Sequence, residues 1–181
     1  MKEKSLIKIN TTDPFMDAST LSINKLISRL HQNIEWQKLT FGNIDLLRSQ
    51  YIIDAYQGID RKDKVIFNSD NYTRYVVQMP VYVNDFDLYI IGWDAHQMSA
   101  IHDHADNGCV MKFLQWTIIE KRFIRHNKEF LLSQENTYHA WETAYIPWHT
   151  WYHSIGNATN LRWVSLHVYS PPHWQTTSYD T

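Results

Sequence analysis

The stretch Ser99-Ala100-Ile101-His102-Asp103-His104 sets two imidazoles at alternate positions of a run with strand character. Alternate side chains of an extended chain share a face, so His102 and His104 point the same way and can hold one cation between them. Taken alone the pair is a weak signal, because two exposed or hydrogen-bonded histidines on a strand satisfy it equally well. Its weight rises with a second aromatic segment, Trp148-His149-Thr150-Trp151-Tyr152-His153-Ser154-Ile155-Gly156-Asn157. A closed sheet could bring His153 opposite the first pair as a third candidate ligand.

Outward from these segments the chain reads as short runs rich in Val, Ile, Tyr, Phe and Trp, broken by Asn, Asp, Gly and Pro, at 72–79, 81–84, 88–93, 99–104, 110–120, 138–146, 151–155 and 163–169. This spacing predicts a sandwich or barrel of jelly-roll type. Before the charged stretch 60–64 the periodicity is helical. From Ser19 as N-cap, apolar residues fall at Ile23, Leu26, Ile27, Leu30 and Ile34, and a weaker pattern runs over 43–56 through Ile44, Leu47, Tyr51 and Ala55. The expected architecture is therefore mainly β: one domain over 1–181, with a helical part over about 1–60 packed outside a barrel over about 65–172.

Of the 181 residues, 44% are hydrophobic and 20% charged, which is enough apolar side chain for a core and excludes a disordered chain. A net charge of −2 excludes the concentrated positive field of a nucleic-acid binder. The single Cys, the polar start Met1-Lys2-Glu3-Lys4 and the lack of a long apolar run predict a cytoplasmic protein that spans no membrane; a monomer is expected. The ten His are where chemistry should be sought.

These segments resemble the cupin superfamily and, within it, the cysteine dioxygenase family of thiol dioxygenases. Cys109 stands five residues after His104, where many cupins carry an acidic residue, and Trp116 stands in a Gly slot. The stretch from Pro147 to His153, with Asn157, is similar to the second cupin motif. Tyr72-Thr73-Arg74, Trp93 and Ser165-Leu166-His167-Val168-Tyr169-Ser170-Pro171-Pro172 resemble further segments of the family in the right order.

The resemblance implies Fe(II) held by His102, His104 and His153, and a thioether crosslink between Cys109 and Tyr169. It also implies substrate recognition by Arg74, Tyr72 and Trp93, and a hydrogen-bond relay through Ser165, His167 and Tyr169. Three neutral imidazoles leave a 2+ ion its full charge, which suits an anionic thiolate ligand. Arg74 offers a planar fork to the substrate carboxylate.

The expected activity is oxidation of L-cysteine by O₂ to cysteine sulfinic acid, with the small thiol and O₂ as partners. Two alternatives stand beside it: an iron cupin acting on another thiol or giving another product, and a cupin that binds a metal or ligand without catalysis. Arg74 could instead be half of an ion pair, and Cys109 an inert core residue. His31, His96, His126, His139, His149 and His173 read as surface or core residues, and Trp141, Trp148, Trp151 and Trp163 as core or pocket walls. At Trp116 the loop is expected to take another route than a Gly turn, with the indole entering or covering the pocket.

Overall fold

Strand β9 (Trp163–Tyr169) is buried at every position because both its faces are covered. Trp163 and Tyr169 pack into the core between two sheets, whereas Val164, Leu166 and Val168 join a second core beneath the helices. The computed structural model describes residues 21–58, 65–147 and 152–179; Ser19, the stretch 60–64, and Trp148, His149 and Trp151 lie outside them.

Around β9 the first sheet is antiparallel throughout, with β1 (Thr73–Val76), β2 (Asp87–Trp93), β9, β4 (Cys109–Phe113) and β7 (Thr143–Ile146) in that order. The second, also antiparallel, orders β10 (Ser178–Tyr179), β3 (Ile101–His102), β8 (Tyr152–Asn157), β5 (Ile118–His126) and β6 (Glu129–Tyr138). The two sheets enclose Ile91, Trp93, Met111, Phe113, Ile118 and Ile155. This is the cupin jelly-roll, with the helices against the outer face of the first sheet.

Helix α1 (Ile23–Phe41) buries the stripe Ile23, Leu26, Ile27, Leu30 and Ile34 that its periodicity predicts. Its cap is Ser22 rather than Ser19: Ser22 Oγ accepts from the Lys25 N–H, and Gly42 closes the other end at φ 72°. The weaker pattern over 43–56 contracts to a 3₁₀ turn, Leu46–Ser49, running into α2 (Gln50–Asp54). Among the described residues no helix is long and apolar enough to cross a membrane.

Several strand boundaries differ from expectation for local reasons. In place of a strand at 81–84 the chain turns over 80–83, closed by Val83 N–H donating to the Pro80 carbonyl at 2.9 Å. The run 99–104 shortens to β3 because Asp103 leaves the β8 ladder and pairs with Thr177, whose N–H donates to Asp103 Oδ1 at 2.8 Å. The run 110–120 splits into β4 and β5, and 138–146 divides between the end of β6 and β7. At the β4–β5 crossover the expected detour is absent: Trp116 itself adopts the left-handed conformation at φ 54°, and its side chain is exposed rather than in the pocket.

Candidate metal centre

Three imidazoles converge at the inner face of the second sheet. His102 on β3 and His153 on β8 are direct partners in the ladder. His104 follows two residues beyond the end of β3 and still turns its ring to the same point. His153 Nε2 lies 3.0 Å from His102 Nε2 and 3.0 Å from His104 Nε2. All three are buried.

Lone pairs this close repel unless a proton or a metal cation lies between them. Two nitrogens held about 2.1 Å from one ion at right angles lie about 3.0 Å apart, so the donor set fits a transition metal. Two of the donors are held in the neutral form. Burial, helped by the Arg74 charge, holds His102 down to about 4, and burial holds His153 well below the usual imidazole range. His102 Nδ1 sits 3.0 Å from the Ala100 carbonyl, which places its proton there and leaves Nε2 basic.

Facing this centre, β9 carries a line of hydrogen bonds. Trp93 Nε1 is a donor only, and it donates to Ser165 Oγ at 3.1 Å. Ser165 Oγ in turn lies hydrogen-bonded to His167 Nε2 at 2.8 Å, and His167 Nδ1 to Tyr169 Oη at 3.2 Å. Burial, with the Arg74 charge, holds His167 down to about 3, so the ring carries a single proton to share between its two neighbours. At its end the Tyr169 hydroxyl donates to the Cys109 thiol, its direct partner in the ladder. Burial pushes both the thiol and the phenol upward, so both stay protonated at neutral pH.

At the edge of the same sheet, Arg74 donates from Nη2 to Tyr72 Oη at 3.0 Å, and Tyr72 stacks on Trp93 with ring centres 4.5 Å apart. Arg74 and Tyr169 share a small cavity with Asp87, Tyr89, Trp174 and Thr176. Trp93 itself is buried between Tyr72 and Trp163. It thus supports the wall of this cavity and feeds the relay.

Sequence reading missed one buried group at the centre, Glu120, whose Oε1 lies 2.9 Å from His153 Nδ1. Its setting within Glu120-Lys121-Arg122 gives the signature of a solvated charge run. The available signal is positional, since Glu120 and Ile118 share one face of the strand and Ile118 is a core residue. His31 also lies outside the sequence reading's ligand set, close to Glu35 and Asp85. There the Lys38 ammonium already bridges the two carboxylates at 2.5 and 3.0 Å.

Comparison with known proteins bears directly on this site. The family model described as cysteine dioxygenase type I matches residues 14–181. Cysteine dioxygenase type 1 of Bos taurus is 29% identical over 153 residues, covering 81% of this chain and 73% of that protein. Its counterpart in Rattus norvegicus is 31% identical over 129 residues, 68% of this chain and 64% of that protein. Among solved structures, an oxalate decarboxylase of Bacillus subtilis superposes with a TM-score of 0.50 at 13% identity, over 61% of this chain and 29% of that one. That last likeness is one of fold.

Proposed function

The chain belongs to the cysteine dioxygenase type I family, and on that premise we propose that it is an Fe(II) enzyme joining both atoms of O₂ to the sulfur of L-cysteine, giving cysteine sulfinic acid. The observation that carries the reading is the convergence of three buried imidazoles, with His153 Nε2 3.0 Å from both His102 Nε2 and His104 Nε2, beside an arginine and a tyrosine that share one cavity. His102, His104 and His153 would hold the iron. When bound, the iron supplies the redox chemistry that unites a thiol sulfur with O₂.

The remaining steps belong to this chain's side chains. Arg74 binds the substrate carboxylate through its planar donor fork, and Tyr72 and Trp93 keep that fork in place. A carboxylate held there directs the substrate's thiol and amine toward the imidazole centre, so orientation is set before reaction. Tyr169 is fixed by the relay from Trp93, and its hydroxyl can turn from the Cys109 thiol to a developing negative charge. Core packing around Ile91, Met111 and Phe113 excludes water behind the reactants.

Cys109 and Tyr169 are proposed to join by a thioether bond between the sulfur and a ring carbon. One S–H and one C–H bond are lost, and O₂ takes up the two electrons and two protons. Intact mass should then be lower by two hydrogens, whereas an unchanged mass after turnover would remove the crosslink. Trp116 is 54% exposed and lines neither the Arg74 cavity nor the imidazole centre's hydrogen-bond set.

The deciding experiment mixes iron-loaded protein with cysteine and O₂. Consumption of one O₂ per cysteine with cysteine sulfinate as product is expected. Absence of that product, with iron bound and both reactants present, overturns the reading.

A further inference from the structure

Glu120 is fully buried and takes no part in the roles assigned so far. Oε1 meets His153 Nδ1 at 2.9 Å. Oε2 accepts from Arg122 Nε at 2.9 Å, Asn136 Nδ2 at 2.9 Å and the Tyr138 hydroxyl at 3.0 Å. Three donors, one of them the Arg122 guanidinium, meet one oxygen, so Oε2 serves as an acceptor only. Strand register builds this arrangement: Asn136 is the direct partner of Glu120 across β5 and β6, and Arg122 is the direct partner of His153 across β5 and β8. Glu120 and His153 are then diagonal neighbours on one face, within reach of a long side chain.

We propose that Glu120 is a positioning residue of the metal centre, its carboxylate fixing His153 in the Nδ1–H form so that the Nε2 lone pair is aimed at the point shared with His102 and His104. The proposal rests on the metal site argued above, because it assigns the group that orients one of that site's ligands. A neutral imidazole has two tautomers, and only one leaves Nε2 able to bind a cation. For His102 the Ala100 carbonyl makes the choice. For His153 an anion makes it, which also raises the basicity of the ring.

The charge matters because the imidazole set itself carries none. Glu120 returns a negative charge to the centre one ring away from the ligand nitrogens, while leaving the coordination positions free. Arg122, Asn136 and Tyr138 hold Oε2 still, and Arg122 also faces His153 directly as its ladder partner.

A substitution of nearly the same shape separates this role from simple packing. In Glu120→Gln the amide must turn its oxygen to the three donors, since its NH₂ cannot satisfy the N–H groups of Arg122 and Asn136. The NH₂ then faces His153 Nδ1 and forces the proton onto Nε2, where it blocks the ligand nitrogen. Tyr138→Phe, in contrast, removes one donor from Oε2 and leaves the Oε1 contact intact.

Two measurements test the proposal: long-range ¹H–¹⁵N correlation spectra of metal-free protein carrying ¹⁵N-histidine, and Fe(II) affinity by competition with a chelator. His153 is expected protonated on Nδ1 in wild type and on Nε2 in Glu120→Gln, with affinity lower by about 10- to 100-fold in the variant. Tyr138→Phe should keep the wild-type tautomer and an affinity within about threefold.

Wild-type His153 protonated on Nε2 overturns the proposal outright, whether or not the Gln variant folds. A folded Gln variant with wild-type affinity overturns it as well. Cysteine turnover enters neither readout, so protein that behaves as expected here and yet makes no sulfinate would remove the proposed reaction and leave this role standing.

Discussion

In the sheet β10-β3-β8-β5-β6 the functional groups meet by pairing across strands, whereas in β1-β2-β9-β4-β7 the relay runs along one strand. His102, His153 and Arg122 follow one another in register across three strands, with Glu120 and Asn136 one step along. Ser165, His167 and Tyr169 instead succeed each other at alternate positions of β9. The first arrangement depends on exact sheet register, and a shift of one residue would turn its members to solvent. The second is set by the two-residue repeat of a single strand, and only its ends, Trp93 and Cys109, come from neighbouring strands.

The largest effect that would sharpen this contrast is removal of a ligand from the register-built side. His153→Ala takes away one of three nitrogens and leaves Glu120 without its imidazole partner. Iron retention should fall by more than the 10- to 100-fold that loss of an orienting partner costs, and turnover should vanish with it. Metal analysis of protein purified in parallel checks this. Stoichiometric iron in the Ala variant would show that the centre does not need the β8 contribution.

On the other sheet a loss should be of a different kind. Arg74→Gln removes a charge-assisted donor pair but leaves the imidazoles untouched, so iron content should be unchanged. The KM for cysteine should rise by about 10- to 100-fold, matching about 1.5–3 kcal/mol for hydrogen bonds to a charged group. Steady-state O₂ uptake together with iron analysis reads both quantities. A loss of iron in this variant would break the division between the sheets.

This division also explains how much could be read from sequence. The β9 relay was legible, since alternation along one strand needs no knowledge of its neighbours. The His-x-His pair was legible too, although the strand ends at His102 and an irregular segment beyond it carries His104 into place. Glu120 was not, because its burial follows only from where β6 and β8 pair with β5. Trp116 misled because residue type suggested that a left-handed turn was unavailable, whereas the crossover imposes one on it.

Acid should separate the buried relay from solvent-facing histidines. Burial holds His167 down to about 3 from its ordinary 6.5. Between those two values the unfolded chain binds a proton that the folded chain refuses, so stability rises with pH across the window. The contribution is complete above about 6.5 and is lost as pH falls toward 3, by up to about 1.4 kcal/mol per pH unit. Urea unfolding of metal-free protein at pH 7, 5.5 and 4.5 should show this decline, and His167→Gln should make it shallower, with His102 and His153 supplying what remains. Equal slopes for the two proteins would mean that His167 is not the group excluding the proton.

The smallest effect is expected where the chain passes from one sheet to the other. Trp116 holds φ 54° between β4 and β5 with its side chain 54% exposed. A left-handed backbone costs a non-glycine residue about 1–2 kcal/mol, and glycine adopts it without that cost. Trp116→Gly relieves the backbone but frees the unfolded chain and surrenders what packing the half-exposed indole has, so the net change should be a stabilisation of at most about 1 kcal/mol. Urea midpoints measure the stability, and turnover should stay within about twofold because the indole reaches neither sheet's functional groups. A large loss of activity would place this crossover inside the site and make the two sheets one coupled unit.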